Sequence, residues 1–163
     1  MFRFSSATRI ALAVVAVLGL VGPVAAGEQV PFHGIYEGSF TQAPIPGTPT
    51  SLVVASGTGK ATQLGHFSFD FPLTVNVVLQ TGSGTYTFTA ANGDEVFADV
   101  LVQSSLLPNG LRHVVEIGII TGGTGRFAGT SGGFIGERLL NRATGEVIGY
   151  FDGTISSPGA GKE

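Results

Sequence analysis

The chain has no cysteine and no tryptophan, and it has a single methionine among its 163 residues. The absence of cysteine excludes disulfide bonds, thiolate metal ligands and cysteine nucleophiles. Basic residues are also few, because eight lysines and arginines stand against eleven aspartates and glutamates. A chain with so little positive charge lacks the basic surface that neutralises phosphates, so we expect no nucleic-acid partner.

Residues 1–26 have the pattern of a secretory signal peptide. Arg3 and Arg9 precede the uncharged apolar run IALAVVAVLGLV, and small residues follow up to Ala26. The run is shorter than the about 20 residues that a membrane span needs, so we expect no stable membrane insertion. The sequence therefore predicts cleavage after Ala26, secretion to the periplasm or the cell exterior, and one domain over residues 27–163.

The remaining chain lacks long amphipathic helical patterns, and short alternating segments take their place. Segments such as HFSFDF and GTYTFTA alternate aromatic and polar residues, as strands with one buried face do. Turn sequences such as ANGD, LPNG and RATGE separate these segments. We count about eight or nine strands, and their short connections require antiparallel pairing in a sandwich or a closed barrel.

Some of these segments are apolar on both faces, and VVEIGII is the plainest example. A sandwich core explains one apolar face of a strand but not the other. A barrel with an apolar interior and an outer face covered by a neighbouring subunit explains both. The sequence therefore predicts an all-β fold, a single closed antiparallel barrel of about eight strands, and a homo-oligomer.

The glycine-rich segment TGGTGRFAGTSGGF, residues 121–134, follows a strand with the spacing of a dinucleotide-binding turn. Such a turn must open a helix that holds the pyrophosphate, and further glycines in the segment oppose a helix. We therefore predict a β-hairpin in which GGTG turns and RFAGTSGGF returns as the next strand. The glycines that serve this geometry are Gly122, Gly123, Gly125 and Gly129.

The stretch GIITGGTGRFAGTSGGF resembles the β-hairpin of the allene oxide cyclase and dirigent barrels. In that pattern a hydrophobic strand precedes G-G-[TS]-G-x-[FY], and a small residue and a further glycine follow. The matching residues are Gly122, Gly123, Thr124, Gly125, Phe127 and Gly129. The segment GEVIGYFDGTIS is similar to the closing strand of secreted bacterial relatives. The resemblance implies an eight-stranded barrel, often oligomeric, whose lumen holds an apolar molecule.

The candidate catalytic residues are acids and a tyrosine. Glu116 lies within VVEIGII, where it is either on an outer polar face or buried, and a buried carboxylate with a raised pKa can exchange protons. Tyr36-Glu37 is the closest counterpart of the substrate-binding residues of the plant cyclase. We predict Glu116, Glu37 and Tyr150 as catalytic candidates. We predict that the lumen is lined by Tyr36, Phe67, Phe69, Tyr86 and Phe88.

The three histidines, at positions 33, 66 and 113, are too far apart for a local metal motif, and we expect neither a metal site nor a cofactor. Three functions remain open. The barrel binds an apolar small molecule, or it is a cofactor-free isomerase or cyclase, or it is a structural envelope protein filled by phenylalanine side chains. The lumen distinguishes them, since an eight-stranded barrel is wide enough to be filled or hollow.

Overall fold

The computed structural model describes residues 27–159, so the predicted signal peptide, residues 1–26, lies outside the described residues. A 3-10 helix, Gly125–Phe127, is the short helical element of this range. No helix between residues 27 and 159 is long and apolar enough to cross a membrane. The strands are β1 Gln29–Pro44, β2 Thr50–Ala61, β3 Gly65–Asn76, β4 Thr81–Ala90, β5 Glu95–Leu106, β6 Arg112–Gly123, β7 Gly132–Asn141 and β8 Glu146–Ser156.

The eight strands form one closed barrel in chain order. Each strand pairs antiparallel with the next, and β1 also pairs antiparallel with β8 over Gln29–Ser39. Closure leaves no unpaired sheet edge, so every strand has a neighbour on both sides. The predicted all-β, closed antiparallel barrel is confirmed.

Burial alternates along the strands because successive side chains point to opposite sides of the sheet. In β3, Phe67, Phe69 and Phe71 point into the barrel while His66 and Asp70 remain exposed. The same alternation in β6 turns the even-numbered residues inward. The acid in VVEIGII therefore faces the interior of the barrel together with Ile120, whereas Ile117 and Ile119 face outward.

The β6–β7 hairpin has a longer connection than the sequence predicts. The return strand begins at Gly132, so the prediction that it begins at Arg126 is wrong. The residues between the strands include the 3-10 helix, whose Phe127 side chain is fully buried in the core. Burial of this ring holds the loop against the end of the barrel.

The four glycines assigned to this hairpin have geometric roles. Gly122, Gly125 and Gly129 have φ values of 145°, 54° and 73°, which residues with a side chain rarely adopt. A side chain on Gly123 would collide with the carbonyl of Glu95. The register between β5 and β6 shifts here: Phe97 pairs with Gly122 and Ala98 with Ile120, so Thr121 is an extra residue, as in a β-bulge.

The two ends of the barrel differ. At the end that we call closed, the β2–β3 turn and the 3-10 helix contribute Leu64 and Phe127 to the hydrophobic core. The opposite end, which we call open, carries the β1–β2, β3–β4, β5–β6 and β7–β8 turns. The candidate site lies toward the open end.

Candidate functional site

A group of aromatic side chains fills the closed end and the middle of the barrel. Its rings pack closely: the Tyr86 ring stacks on Phe71 at 3.8 Å and on Phe88 at 4.7 Å between centroids. Nine rings that pack against one another occupy the lumen at this level. We call this group the aromatic plug; its members are Phe32, Tyr36, Phe67, Phe69, Phe71, Tyr86, Phe88, Phe134 and Phe151.

A cavity of about 550 Å³ lies at the open end of the lumen. This volume falls within the about 300–1,000 Å³ that small-molecule sites occupy. Inward side chains of β2, β3, β5, β6 and β7 form an aliphatic wall. The members of this wall are Val53, Leu73, Val75, Val102, Val114 and Leu140.

The five predicted lining residues, Tyr36, Phe67, Phe69, Tyr86 and Phe88, do point into the barrel. None of them lines the open-end cavity. They pack against one another and belong to the plug, because large rings on facing strands meet across a barrel of this width. Their role as the lining of a ligand site stays a prediction.

Four polar side chains form a buried chain that begins within the plug, at Tyr36 and Tyr86, and extends toward the cavity. The Nε atom of Arg138 lies 2.9 Å from Oε1 of Glu116, and both side chains are almost fully buried. The Tyr86 hydroxyl donates a hydrogen bond to Oε2 of Glu116 at 3.1 Å. The hydroxyls of Tyr36 and Tyr86 are 3.1 Å apart. We call these four residues the polar chain, and Arg138 is the member that reaches the cavity.

The guanidinium of Arg138 is incompletely satisfied. Its Nε and Nη1 atoms, and Oε1 of Glu116, have no hydrogen-bond partner within the described range. The contact with Glu116 is thus an ion pair whose N–H direction does not favour a hydrogen bond. The cation also lies 4.8 Å from the ring centroid of Phe71. A buried guanidinium, paired with Glu116 but with N–H groups that make no hydrogen bond, therefore lies beside the cavity.

The pKa shifts within the polar chain keep the tyrosines and the arginine protonated, so that they act as hydrogen-bond donors. Burial raises the pKa of Glu116, while Arg138 and the Tyr86 hydroxyl oppose this shift. Burial alone would lower the pKa of Arg138, but Glu116 and the two tyrosines raise it overall, so the guanidinium stays protonated. Burial, followed by repulsion from Glu116, raises the pKa of both Tyr36 and Tyr86. Both phenols therefore remain neutral donors.

Glu37 and Tyr150, the other catalytic candidates, lie on the outer face of the barrel. Tyr150 is 47% exposed, and its hydrogen bond to Glu137 raises the pKa of the phenol. Each residue follows the strand alternation, since neighbouring Tyr36 and Phe151 point inward. Both side chains therefore point away from the lumen, and their catalytic role stays a prediction. Glu116 is inside the barrel but does not line the cavity.

The arginines at the open end were not predicted. Arg138 lies at the floor of the cavity, and Arg112 and Arg142 lie at its rim. A signal was available for Arg138, because it has the same strand parity as Phe134 and Leu140 in GGFIGERLLN. Arg112 and Arg142 flank turns, where alternation does not predict the direction of a side chain.

No protein-family model and no curated protein sequence matches the chain. Among solved structures, the chain is similar to the pterocarpan synthase dirigent protein, with a TM-score of 0.54 and 15% sequence identity. The similarity covers 93% of this chain and 99% of that chain. The fold is that of the dirigent barrel. The resemblance of the glycine-rich hairpin is thus confirmed at the level of fold, and a shared fold assigns no catalytic residue.

Proposed function

We propose that this dirigent-like barrel binds an apolar small molecule in the cavity at its open end, within the exported protein that residues 1–26 predict. The observation that supports the proposal is the cavity of about 550 Å³ with an aliphatic wall. Because the backbone hydrogen bonds are made between strands, the wall presents side chains rather than backbone polar groups. Burying an apolar ligand surface there contributes about 25 cal/mol per Å².

The two alternative functions find less support in the same geometry. The isomerase or cyclase considered above would use an acid in contact with its substrate, but neither Glu116 nor Glu37 lines the cavity. Glu116 is 1% exposed and is engaged by Arg138 and Tyr86. A filled structural barrel describes the plug but not the open end. Binding without proton transfer is the function that the arrangement supports best.

Filling the cavity should weaken binding. The Val102 side chain lines the cavity and is buried. We expect Val102→Phe to weaken binding of the neutral fluorescent probe phenylnaphthylamine by about tenfold or more, because the ring occupies the ligand volume. A fluorescence titration of the two proteins measures this change.

The matched control for this variant is Leu101→Phe. Leu101 is the neighbouring residue on β5, but it points outward and is 65% exposed. The control should bind the probe like the parent protein. Equal binding by the Val102→Phe variant would contradict the proposed site, and a parent protein that binds no probe would favour the structural alternative.

We also infer that copies of the chain associate through an outer face of the barrel. Leu101 pairs with Ile117, which pairs with Ile135, so exposed apolar side chains form a continuous band across β5, β6 and β7. Contiguous exposed apolar surface usually marks an interaction site. We call this band, with its neighbours, the outer patch; its members are Ile35, Leu101, Val115, Ile117, Ile119, Ile135, Ile148 and Tyr150.

The charges near the outer patch suit a second copy of the same chain. His33 contacts Asp152, and His113 contacts Glu137, each at 2.8 Å. Because these acids already have partners within the chain, the patch does not need a partner surface of opposite charge. The apolar patch of a second copy can cover it.

Placing a charge in the outer patch should separate the copies. We expect Ile117→Lys to shift the protein to the monomer in sedimentation velocity, because an ammonium group cannot be buried unpaired in an apolar contact. Val54→Lys is the control, since Val54 is 41% exposed on β2, outside the patch. A monomeric parent protein, or a control that dissociates equally, would contradict this interface.

A further inference from the structure

We propose that the open-end cavity recognises an anionic group, so that its ligand is an apolar molecule carrying a carboxylate, sulfonate or phosphate. This inference rests on the proposed function and identifies the polar part of the ligand. The evidence for it is the set of arginines at the cavity. Neither the barrel fold nor the binding of a purely apolar ligand explains why they are there.

Positive charge is concentrated at this cavity in an otherwise acidic chain. Three arginines, Arg112, Arg138 and Arg142, line it, and no aspartate or glutamate does. Between residues 27 and 159, the sequence has only two further basic residues, Lys60 and Arg126. Most of the positive charge of the domain thus surrounds one end of the lumen, where it attracts anions.

The two rim arginines are held by neutral oxygens. Arg112 donates to the hydroxyl of Ser104 at 3.1 Å and to the side-chain oxygen of Gln80. Arg142 donates to the side-chain oxygen of Gln42 at 2.8 Å. Among the ion pairs of the described residues, none includes Arg112 or Arg142. Their positions are therefore defined while their charges remain uncompensated by carboxylates.

Like charges act on each other at the rim. Partial burial, and then the nearby Arg142 guanidinium, lower the pKa of Arg112. An anion bound between these side chains would replace that repulsion with attraction, and a guanidinium binds carboxylate, sulfonate or phosphate oxygens through paired N–H donors. The rim thus has the charge and the donor geometry that an anion needs.

The floor of the cavity offers a second, independent observation. Arg138 is 2% exposed and lines the cavity, and its buried Nη1 atom has no hydrogen-bond partner among residues 27–159. Buried polar groups in folded proteins are nearly always hydrogen-bonded, so the Arg138 guanidinium retains unused donor capacity beside the cavity. An anion bound at the open end would be attracted by this third guanidinium as well as by the two at the rim.

Two fluorescent probes that differ by one anionic group test the inference. Anilinonaphthalene sulfonate has the aromatic body of phenylnaphthylamine together with a sulfonate. We expect the parent protein to bind the sulfonate about tenfold more tightly, because a charge-assisted hydrogen bond stabilises by roughly that factor. The preference should decrease as salt concentration rises. Binding of both probes should weaken by about tenfold or more in Val102→Phe, which assigns the signal to the cavity.

Variants of the arginines locate the anion. The double variant Arg112→Gln with Arg142→Gln should lower sulfonate affinity about tenfold and leave the neutral probe unchanged. For the floor, Glu116→Gln with Arg138→Met removes both charges of the buried pair together, which protects the fold. Lys60→Gln is the control for charge removed away from the cavity, because Lys60 is exposed on the outer wall; it removes one positive charge, while the rim double variant removes two and the buried-pair variant leaves the net charge unchanged.

The outcomes separate this inference from the proposed function. If both probes bind the parent protein equally, or if sulfonate binding survives in both arginine double variants, anion recognition is overturned while the apolar site stands. If neither probe binds, the proposed function fails and the inference fails with it. An equal loss in Lys60→Gln would show general charge attraction and would also overturn the inference.

Discussion

Replacing Arg138 with methionine is expected to lower the free energy of unfolding by about 3–5 kcal/mol, because it leaves a buried carboxylate without its cation. That carboxylate belongs to Glu116, which is 1% exposed and lies 2.9 Å from the arginine Nε. The Tyr86 hydroxyl would then be its remaining hydrogen-bond donor. Urea unfolding, followed by circular dichroism, measures the change.

Two comparisons show whether the effect belongs to the ion pair. The double variant Glu116→Gln with Arg138→Met should recover most of the lost stability, since an uncharged pair has no desolvation penalty to offset. Arg142→Met makes the same substitution at the exposed rim and should cost less than about 1 kcal/mol. A double variant as unstable as Arg138→Met alone would show that the loss arises from packing rather than from charge.

Replacing Phe88 with alanine is the second change with a large expected effect, about 3–5 kcal/mol of unfolding free energy. The Phe88 ring is fully buried at the centre of the plug. Its removal leaves a cavity that rigid neighbouring strands cannot close. The rings within contact range are those of Phe32, Phe67, Tyr86, Phe134 and Phe151. Urea unfolding at equilibrium provides the measurement.

The control is the same substitution at the other end of the lumen. Phe40 lines the open-end cavity and is only partly buried, so Phe40→Ala should cost less stability than Phe88→Ala. Binding should respond in the opposite order, because Phe40 contacts the ligand volume and Phe88 does not. If the Phe88→Ala variant lost probe binding while remaining folded, the plug and the cavity would not be separate functional parts of the lumen.

Much of the fold follows from the sequence, and the hairpin around Gly125 shows both the reach and the limit of that inference. The glycine pattern predicted a strand–turn–strand unit, which the structure contains between β6 and β7. It did not predict the 3-10 helix, because the burial of Phe127 depends on the core at the closed end. Side chains on Gly123 and Gly125 would also collide with Glu95 and Asp94, which are distant in sequence.

The site shows a sharper limit. In VVEIGII both strand faces are apolar, so alternation alone does not decide whether Glu116 or its neighbours point inward. Glu37 and Tyr150 show a different limit. Their carboxyl and hydroxyl groups are suited to catalysis, but the alternation of their strands places both side chains on the outer face. Arg112 and Arg142 lie at turns, where no period applies, and only the closed barrel brings them to one cavity.

Local composition by itself determined the strands, the turns, the absence of disulfide bonds and the acidic balance, because each depends on residue types and their spacing along the chain. Tertiary structure alone decided which end of the lumen is filled. Gln42 and Arg142 are far apart in sequence yet meet at 2.8 Å at the cavity rim. Such contacts arise from strand register around a closed sheet, and a shift of one residue would exchange the inner and outer faces of a strand.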